Sequence, residues 1–430
     1  MIEKPFSKQR WRMFDPGGLF INIGQRLAKD IKTMEYFSPW ERGFPRPHDS
    51  AMGEGVPGLV RWDYFFEDLD DVDLFIFPDT GYGDLINDLR KRGKRVFGCG
   101  LGAQMWETDR FKFREMLQQI GLPVVPYTDP PIEGVTALVK YLKAHPKIWV
   151  KVNNDSRWIG ETFFAKTYEA VATLIYKMSA KLDCFVEDQL FMCEQCRPDG
   201  GEEMGDEQFF NGTDYLNNAL LGLELKGCNY VGHFMAYDDL PAPVKLVDDR
   251  IKPGLKKGGL QGVRSTEIGF VKVNGKVIGY YSDACQRFGR PSGGALTGGT
   301  KNLNEVMYRV AGGEKVKLEY VAPYCAEAIC WSNEANDTAI PIQVKEKDMD
   351  RVLLGQYYKN KKDGMFYRIP MGDGGLVAEC LGFGKSVEEA EQDATESIGL
   401  IEFSGKEFEV DGWEKLDEKL ERSKKLGVWK

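Results

Sequence analysis

Short apolar runs alternate along the chain with stretches of helical periodicity. Residues Val72–Phe77 (VDLFIF) predict a buried strand, closed by Pro78-Asp79-Thr80-Gly81. An amphipathic stretch over 83–92 predicts a helix with Gly93 as its stop, and Arg95–Gly98 gives the next strand. Strand, helix and strand at this spacing form a βαβ unit, so the first part of the chain is expected to be a parallel α/β sheet. Upstream, Gly18–Gly24 (GLFINIG) reads as a short apolar strand, and residues 46–65, rich in Gly, Pro and polar groups, as a loop.

The pattern continues with a helix over 108–120, capped by Thr108 or Asp109 and stopped by Gly121. A helix over 133–144 and a strand over Ile148–Val152 follow. Lys151 lies inside that apolar strand, where burying an ammonium is costly without a partner; it is either a lysine at a strand end or a cation awaiting an anion. The polar loop Asn153–Gly160 leads to a strand over 161–165 and a helix over 168–178. Cys184–Leu190 reads as a strand entering a polar hinge, and the acidic, Gly-rich residues 198–216 as a mobile surface loop. After a helix over 303–310, a third unit starts near 316. It contains a strand over Leu376–Gly382, a Ser386/Glu389 capping box opening a helix over 387–398, and a charged, solvated tail helix over 412–428.

The most informative stretch is Gln261–Gly294. Asn274-Gly275 between VKV and KVI is a strong hairpin signal, because a two-residue type I′ turn needs positive φ at both positions. The hairpin brings Glu267 and Asp283 to one end on adjacent strands. Strict register leaves Asp283 one residue out, and a single bulge, expected at Gly279, places the two acids opposite each other. Paired carboxylates followed by Arg287 and a Gly/Pro/Ser-rich loop suit a divalent cation and a phosphate; solvated strand ends are the plainer alternative.

Composition narrows the class. The 430 residues suit two to four domains, and 42% hydrophobic with 29% charged residues is a soluble globular balance. No apolar run is long enough to span a bilayer, and the N-terminal residues lack the apolar segment of a secretory leader. A net charge of −9 provides no general field for nucleic acid. Nine scattered cysteines suggest reduced thiols and a cytoplasmic location. Cys193-Glu194-Gln195-Cys196 is a lone CxxC in a chain with three histidines, which favours ordinary thiols over zinc or redox chemistry.

In order and spacing, these features resemble the ATP-grasp ligases, and among them phosphoribosylamine–glycine ligase, over roughly residues 70–415. The likeness is carried by VDLFIFPDTGYGDLINDLRKRGKRVFG, TDRFKFREMLQQIGLPVVPY, IWVK, FVEDQL, the hairpin with CQRFGRP, and GGLVAECLGFGKSVEEAEQDATESIGLIEF. The resemblance implies an α/β ATP-grasp fold in three parts. These are an N-terminal parallel α/β domain over 1–107, an ATP-grasp domain over 108–312, and a small C-terminal α+β domain over 313–430. It implies that ATP phosphates meet Lys151, Arg110 and Arg157, that Glu187, Gln189 and Leu190 form the adenine hinge, and that Glu194 holds the ribose. Glu267 and Asp283 would hold Mg²⁺ or Mn²⁺, with Arg287 and Arg264 as catalytic residues. The implied partners are a small carboxylate and a small amine, joined as an amide through an acyl phosphate.

The sequence departs from the family's pattern at several points. Asn153–Gly160 carries Asp155, Arg157 and Trp158 where a glycine-rich loop with a lysine is usual. Asp283 replaces a Glu, Cys285 replaces an Asn ligand, and Gly289-Arg290-Pro291-Ser292 replaces Gly-Asp-Pro-Glu. Thiols suit hard Mg²⁺ poorly, and Arg290 hints at a more anionic partner. These changes point to altered substrates, and they leave a second reading: a non-catalytic descendant that keeps the fold for nucleotide binding or assembly.

Overall fold

In the computed structural model, which describes residues 4–38, 51–153, 162–198, 201–370 and 375–430, the chain enters through a strand that its charges conceal. Strand β1 (Arg10–Phe14) is buried at Trp11, Arg12 and Met13. Arg12 sits opposite Glu35 of β2 (Thr33–Phe37), whose carboxylate accepts from Arg12 Nε at 2.6 Å. Between the two strands, Gly18–Gly24 is not the expected strand. Ile21–Leu27 forms helix α1, burying Ile21, Gly24 and Leu27 at helical spacing. Strand β3 (Leu59–Arg61) lies within the segment read as loop, whose residues 46–50 are outside the described part. The βαβ unit is present as β4 (Leu74–Ile76), α2 (Gly83–Lys91) and β5 (Val96–Cys99), with β4 and β5 parallel.

The helix expected over 108–120 is α4 (Arg110–Gln119), and a further helix, α3 (Leu101–Thr108), precedes it. Between them Asp109 leaves helical geometry, and its carboxylate caps the Lys112 amide at 3.2 Å. A separate lobe follows, made of β6 (Ile132–Glu133), α5 (Val135–Ala144), β7 (Ile148–Val152), β8 (Thr162–Ala165), α6 (Tyr168–Leu182) and β9 (Leu190–Gln195). Its sheet has the order β6-β9-β7-β8 and encloses its own apolar core. The strand expected at Cys184–Leu190 lies further on, because Asp183–Phe185 is a 3₁₀ turn.

The acidic stretch read as a mobile loop is instead β10 (Glu202–Asn211), an interior strand; residues 199–200 lie outside the described part. Two of its acids are buried with charged partners, Glu202 with Arg422 and Asp206 with Arg264. Strands β11 (Asn218–Leu225) and β12 (Asn229–Ala236), helix α7 (Ala242–Gly258), β13 (Leu260–Val273) and β14 (Lys276–Cys285) complete this region. Helices α8 (Gly293–Gly299) and α9 (Leu303–Ala311) lead to the last part: β15 (Tyr324–Trp331), β16 (Ile340–Val344), β17 (Val352–Leu354), β18 (Tyr357–Lys359), β19 (Phe366–Arg368), β20 (Leu376–Gly384), α10 (Val387–Ile398), β21 (Ile401–Phe403) and α11 (Gly412–Leu426).

Among the described residues one thirteen-stranded sheet runs β17-β20-β15-β12-β11-β10-β13-β5-β4-β1-β2-β3, with β14 added on β13. Two pairs, Leu260 with Cys99 and Gln261 with Gly98, join its parallel and antiparallel parts. A second sheet, β18-β19-β16-β21, stands apart. The tail helix α11 is not simply solvated. It buries Leu416 and Leu420, while Lys419 reaches the Glu224 carbonyl at 2.8 Å.

The β13–β14 turn has Asn274 at φ 49° and Gly275 at φ 79°, as the hairpin reading expects. Nothing lies within 4 Å of a Cβ added at Gly275, so Gly275→Ala should cost only the left-handed backbone strain. The expected loss is about 1 kcal/mol, measurable by urea unfolding.

Candidate active site

The hairpin's irregularity builds the centre of the site. Pairing is regular as far as Ile268 with Tyr281, then shifts by one residue so that Glu267 faces Asp283 and Ser265 faces Cys285. The two acids are opposite as expected, but the bulge is at Ser282, not Gly279. Gly279 serves packing, since a Cβ there would lie 2.8 Å from the Phe270 ring. The bulge turns backbone carbonyls toward cations: Ser282 O accepts from Lys151 Nζ at 2.6 Å and Arg114 Nη2 at 2.7 Å, and Tyr281 O from Arg114 Nη1 at 3.0 Å.

Asp283 accepts from Arg110 Nη1 and, at 3.2 Å, from Lys151 Nζ. Burial pushes its carboxyl up, but Arg110, Lys151 and Arg114 outweigh this and hold it well below the usual carboxylate range. Lys151 is buried, as its strand pattern suggests, and also lies 3.4 Å from Glu194, which is bonded to Arg114. Burial opposes ionisation of Glu194, and Lys151 and Arg114 lower its pKa. Glu267 has a different setting. Burial pushes its carboxyl up to about 7, although Lys226 is bonded to it. Lys226 also lies 3.6 Å from Glu203 and 3.8 Å from Glu224.

Two cavities meet here. A cleft of about 920 Å³ is lined by the apolar Val124, Val125 and Phe163 together with Arg110, Lys151 and Arg197. A cavity of about 110 Å³ lies beyond it, among Glu207, Tyr230, Arg290 and Ser292. Glu203, Glu267, Cys285 and Arg287 line both. Arg287 Nε is 3.0 Å from Glu107 and 3.3 Å from Asp79. Burial pushes the Cys285 thiol well up, so it is a neutral group in the seam.

Three expectations for the site change. Arg264 is wholly buried between Asp206 and Asp248, outside both cavities, and cannot reach a substrate there. Glu187, Gln189 and Leu190 do not line the cleft. Glu187 accepts from Thr136 Oγ1 at 2.7 Å, and the Gln189 amide donates to the carbonyls of Asn153 and Leu190. Because the strand starts at Leu190, Glu194 and Gln195 face the cleft instead. The Arg290 charge is taken by Glu379 at 2.7 Å, so it gives no ground for an anionic partner. Arg157 lies outside the described residues. Sequence reasoning missed Arg114, Lys226 and Arg197. Arg114 had a signal, since it follows Arg110 by one helical turn.

Glu207 is buried, and burial pushes its carboxyl up to about 8. In the window between the unfolded value near 4.3 and 8 the folded state holds a proton that the unfolded state does not, so this group's contribution falls as pH rises, by about 1.4 kcal/mol per unit. Glu207→Gln is therefore expected to melt above the parent at pH 8, with the gap narrowing toward pH 5 in paired calorimetric scans.

No family model matches the chain, and no curated protein sequence matches it. Solved structures do. The phosphoribosylamine–glycine ligase of Thermotoga maritima is similar over 92% of this chain and 98% of its own, at 16% identity and a TM-score of 0.62. The biotin carboxylase domain of Hydrogenobacter thermophilus 2-oxoglutarate carboxylase, solved with MgADP, ADP and bicarbonate, is similar over 97% and 99%, at 10% identity and 0.63. The carboxyaminoimidazole ribonucleotide synthase of Aspergillus clavatus, complexed with ATP, is similar over 92% and 98%, at 10% identity and 0.58. The chain has the ATP-grasp fold, an α/β architecture with the sheet organisation described above. The fold of phosphoribosylamine–glycine ligase is among those it shares, at an identity that carries no substrate with it.

Proposed function

We propose that this protein is an ATP-dependent carboxylate–amine ligase that forms an amide through an acyl phosphate. The observation that carries the reading is the Glu267–Asp283 pair, opposed across two strands close to the seam between the large cleft, with Arg110, Arg114 and Lys151 on its wall, and a small polar cavity. A nucleotide in the cleft would present its terminal phosphate at that seam to a carboxylate arriving from the other side. The neighbours solved with ATP, ADP or MgADP support this reading.

The donor set suits Mg²⁺ or Mn²⁺ in kind: two carboxylates offer hard oxygens, now bonded to Lys226 and to Arg110 and Lys151, which a metal would displace, while the half-buried neutral Cys285 is unsuited as a ligand. When bound, the metal would neutralise phosphate charge. Arg110, Arg114 and Lys151 would bind the phosphates, and Val124, Val125 and Phe163 would bury the base. Glu194 would orient Lys151 and Arg114. Arg287, facing both cavities, would stabilise charge on the acyl group. Arg157 remains a proposed phosphate contact, and the division at 107 and 312 a proposed domain layout. The changes at Asp283 and Cys285 favour substrates other than those of phosphoribosylamine–glycine ligase. The nine free thiols fit a cytoplasmic setting.

The test is calorimetric titration of ATP with and without Mg²⁺, followed by phosphate release screened over pairs of acids and amines. Mg²⁺-dependent binding with release triggered by one pair supports the ligase. Tight ATP binding with no release for any pair would favour the non-catalytic descendant. Glu267→Ala should reduce turnover about a thousandfold while leaving the circular dichroism spectrum unchanged; full activity in that variant would refute the metal site.

A further inference from the structure

The small cavity has a chemistry of its own. Its two arginines are engaged elsewhere, Arg287 with Glu107 and Asp79 and Arg290 with Glu379. Its glutamates are not equally served. Glu203, Glu224 and Glu267 share Lys226, whereas Glu207 has no ion pair among the described residues. Ser265 donates to Glu207 Oε1 at 3.0 Å and the Ser292 hydroxyl lies beside the carboxyl group, but Oε2 has no partner of hydrogen-bond geometry. The Tyr230 hydroxyl, on the same cavity wall, also has none. Both side chains are almost wholly buried, Glu207 at 3% and Tyr230 at 2% exposure. Buried polar atoms without partners are rare in folded proteins and mark places where a ligand completes the set.

We propose that this cavity binds the amine substrate as a small primary ammonium, with Glu207 Oε2 accepting one N–H and the Tyr230 hydroxyl oxygen accepting another. Glu203, Glu224 and Glu267 put three acids on this wall against Lys226 and Arg197, and burial keeps Glu207 protonated only while no cation lies beside it, so an ammonium is the ligand that balances the wall. A volume of about 110 Å³ holds only a few non-hydrogen atoms, and the rest of a larger amine would have to extend through the seam toward Glu267. This places the nitrogen across Glu267 from the nucleotide cleft, where it could add to the acyl carbon while inorganic phosphate leaves toward the cleft. In its ionised form Glu207 could also take the proton that an ammonium must lose before its lone pair can attack. The inference rests on the ligase reading for what the amine does, but not for whether it binds.

The experiment uses the full chain without nucleotide and matched probes, ethanolammonium against glycolate, followed by saturation-transfer NMR and calorimetry. Parent protein should bind ethanolammonium at least about tenfold more tightly than glycolate. Glu207→Gln, which should fold normally, should lose about tenfold in ethanolammonium affinity and bring the two probes close together. Tyr230→Phe should weaken the ammonium without affecting glycolate, a pattern that general loosening of the cavity would not give. Unchanged ethanolammonium affinity in Glu207→Gln, or tighter glycolate binding by the parent, would overturn the proposal. Because the titration contains no ATP, a protein that fails to bind nucleotide would refute the ligase and leave this result standing.

Discussion

Asp283→Ala is expected to abolish turnover and to destabilise the protein at neutral pH by about 3 kcal/mol. Arg110 and Lys151 both contact this one carboxylate, and Arg114 lies in the same cluster. Removing the acid leaves them facing one another. Breaking a buried pair costs about 3–5 kcal/mol, and the lower end applies because the Asp283 side chain is 22% exposed. The sign of the pH dependence follows from its depressed pKa. The stabilisation is complete above the unfolded value of about 3.9 and is lost as pH falls through the folded one. Parent and variant should therefore differ most at pH 6–8 and converge in acid. Thermal unfolding at a series of pH values, with single-turnover phosphate release at pH 7.5, measures both effects. A variant that kept its stability and its rate would remove Asp283 from the centre of the site.

Arg264→Met should produce a larger loss of stability with hardly any loss of chemistry. The guanidinium is wholly buried between Asp206 and Asp248, and without it two buried carboxylates lie together uncompensated. About 3–5 kcal/mol is at stake, enough to reduce the yield of folded protein severely. Per folded molecule, kcat/KM should stay within about twofold, whereas a catalytic arginine would cost a thousandfold or more. Adding Asp206→Asn and Asp248→Asn should recover much of the stability, because the charges are then removed together. Active-site titration normalised to folded protein decides between the two roles. A large fall in kcat/KM with stability intact would return Arg264 to the catalytic set.

The sequence was most legible where local chemistry determines the geometry. Asn274-Gly275 fixed the turn, and the βαβ spacing over 72–98 fixed the parallel unit, since neither depends on distant partners. The opposition of Glu267 and Asp283 followed from counting residues back from that turn; the bulge position did not, because it depends on Arg114 and Lys151 drawing on the Ser282 carbonyl from another part of the chain. Strands β1 and β10 were missed for a common reason. Arg12, Glu202 and Asp206 look solvent-exposed in a sequence, and only pairing with Glu35, Arg422 and Arg264 lets them lie inside a sheet. The same pairing removed Arg264 from the site and cancelled the apparent meaning of Arg290. Long-range charge compensation is what the residue pattern could not convey.

One strand takes part in both halves of the large sheet. β13 is hydrogen-bonded to β5 at Leu260 and Gln261 and bears Glu267 seven residues beyond Leu260, roughly 23 Å along an extended chain. It works as a stiff beam clamped at one end in the parallel sheet and loaded at the other by the carboxylate pair. Mechanical disturbance at the Gly98–Cys99 clamp would therefore be transmitted along the backbone to Glu267, and the lobe holding Lys151, built on a different sheet, grips the same hairpin from the other direction through the Ser282 carbonyl and Asp283.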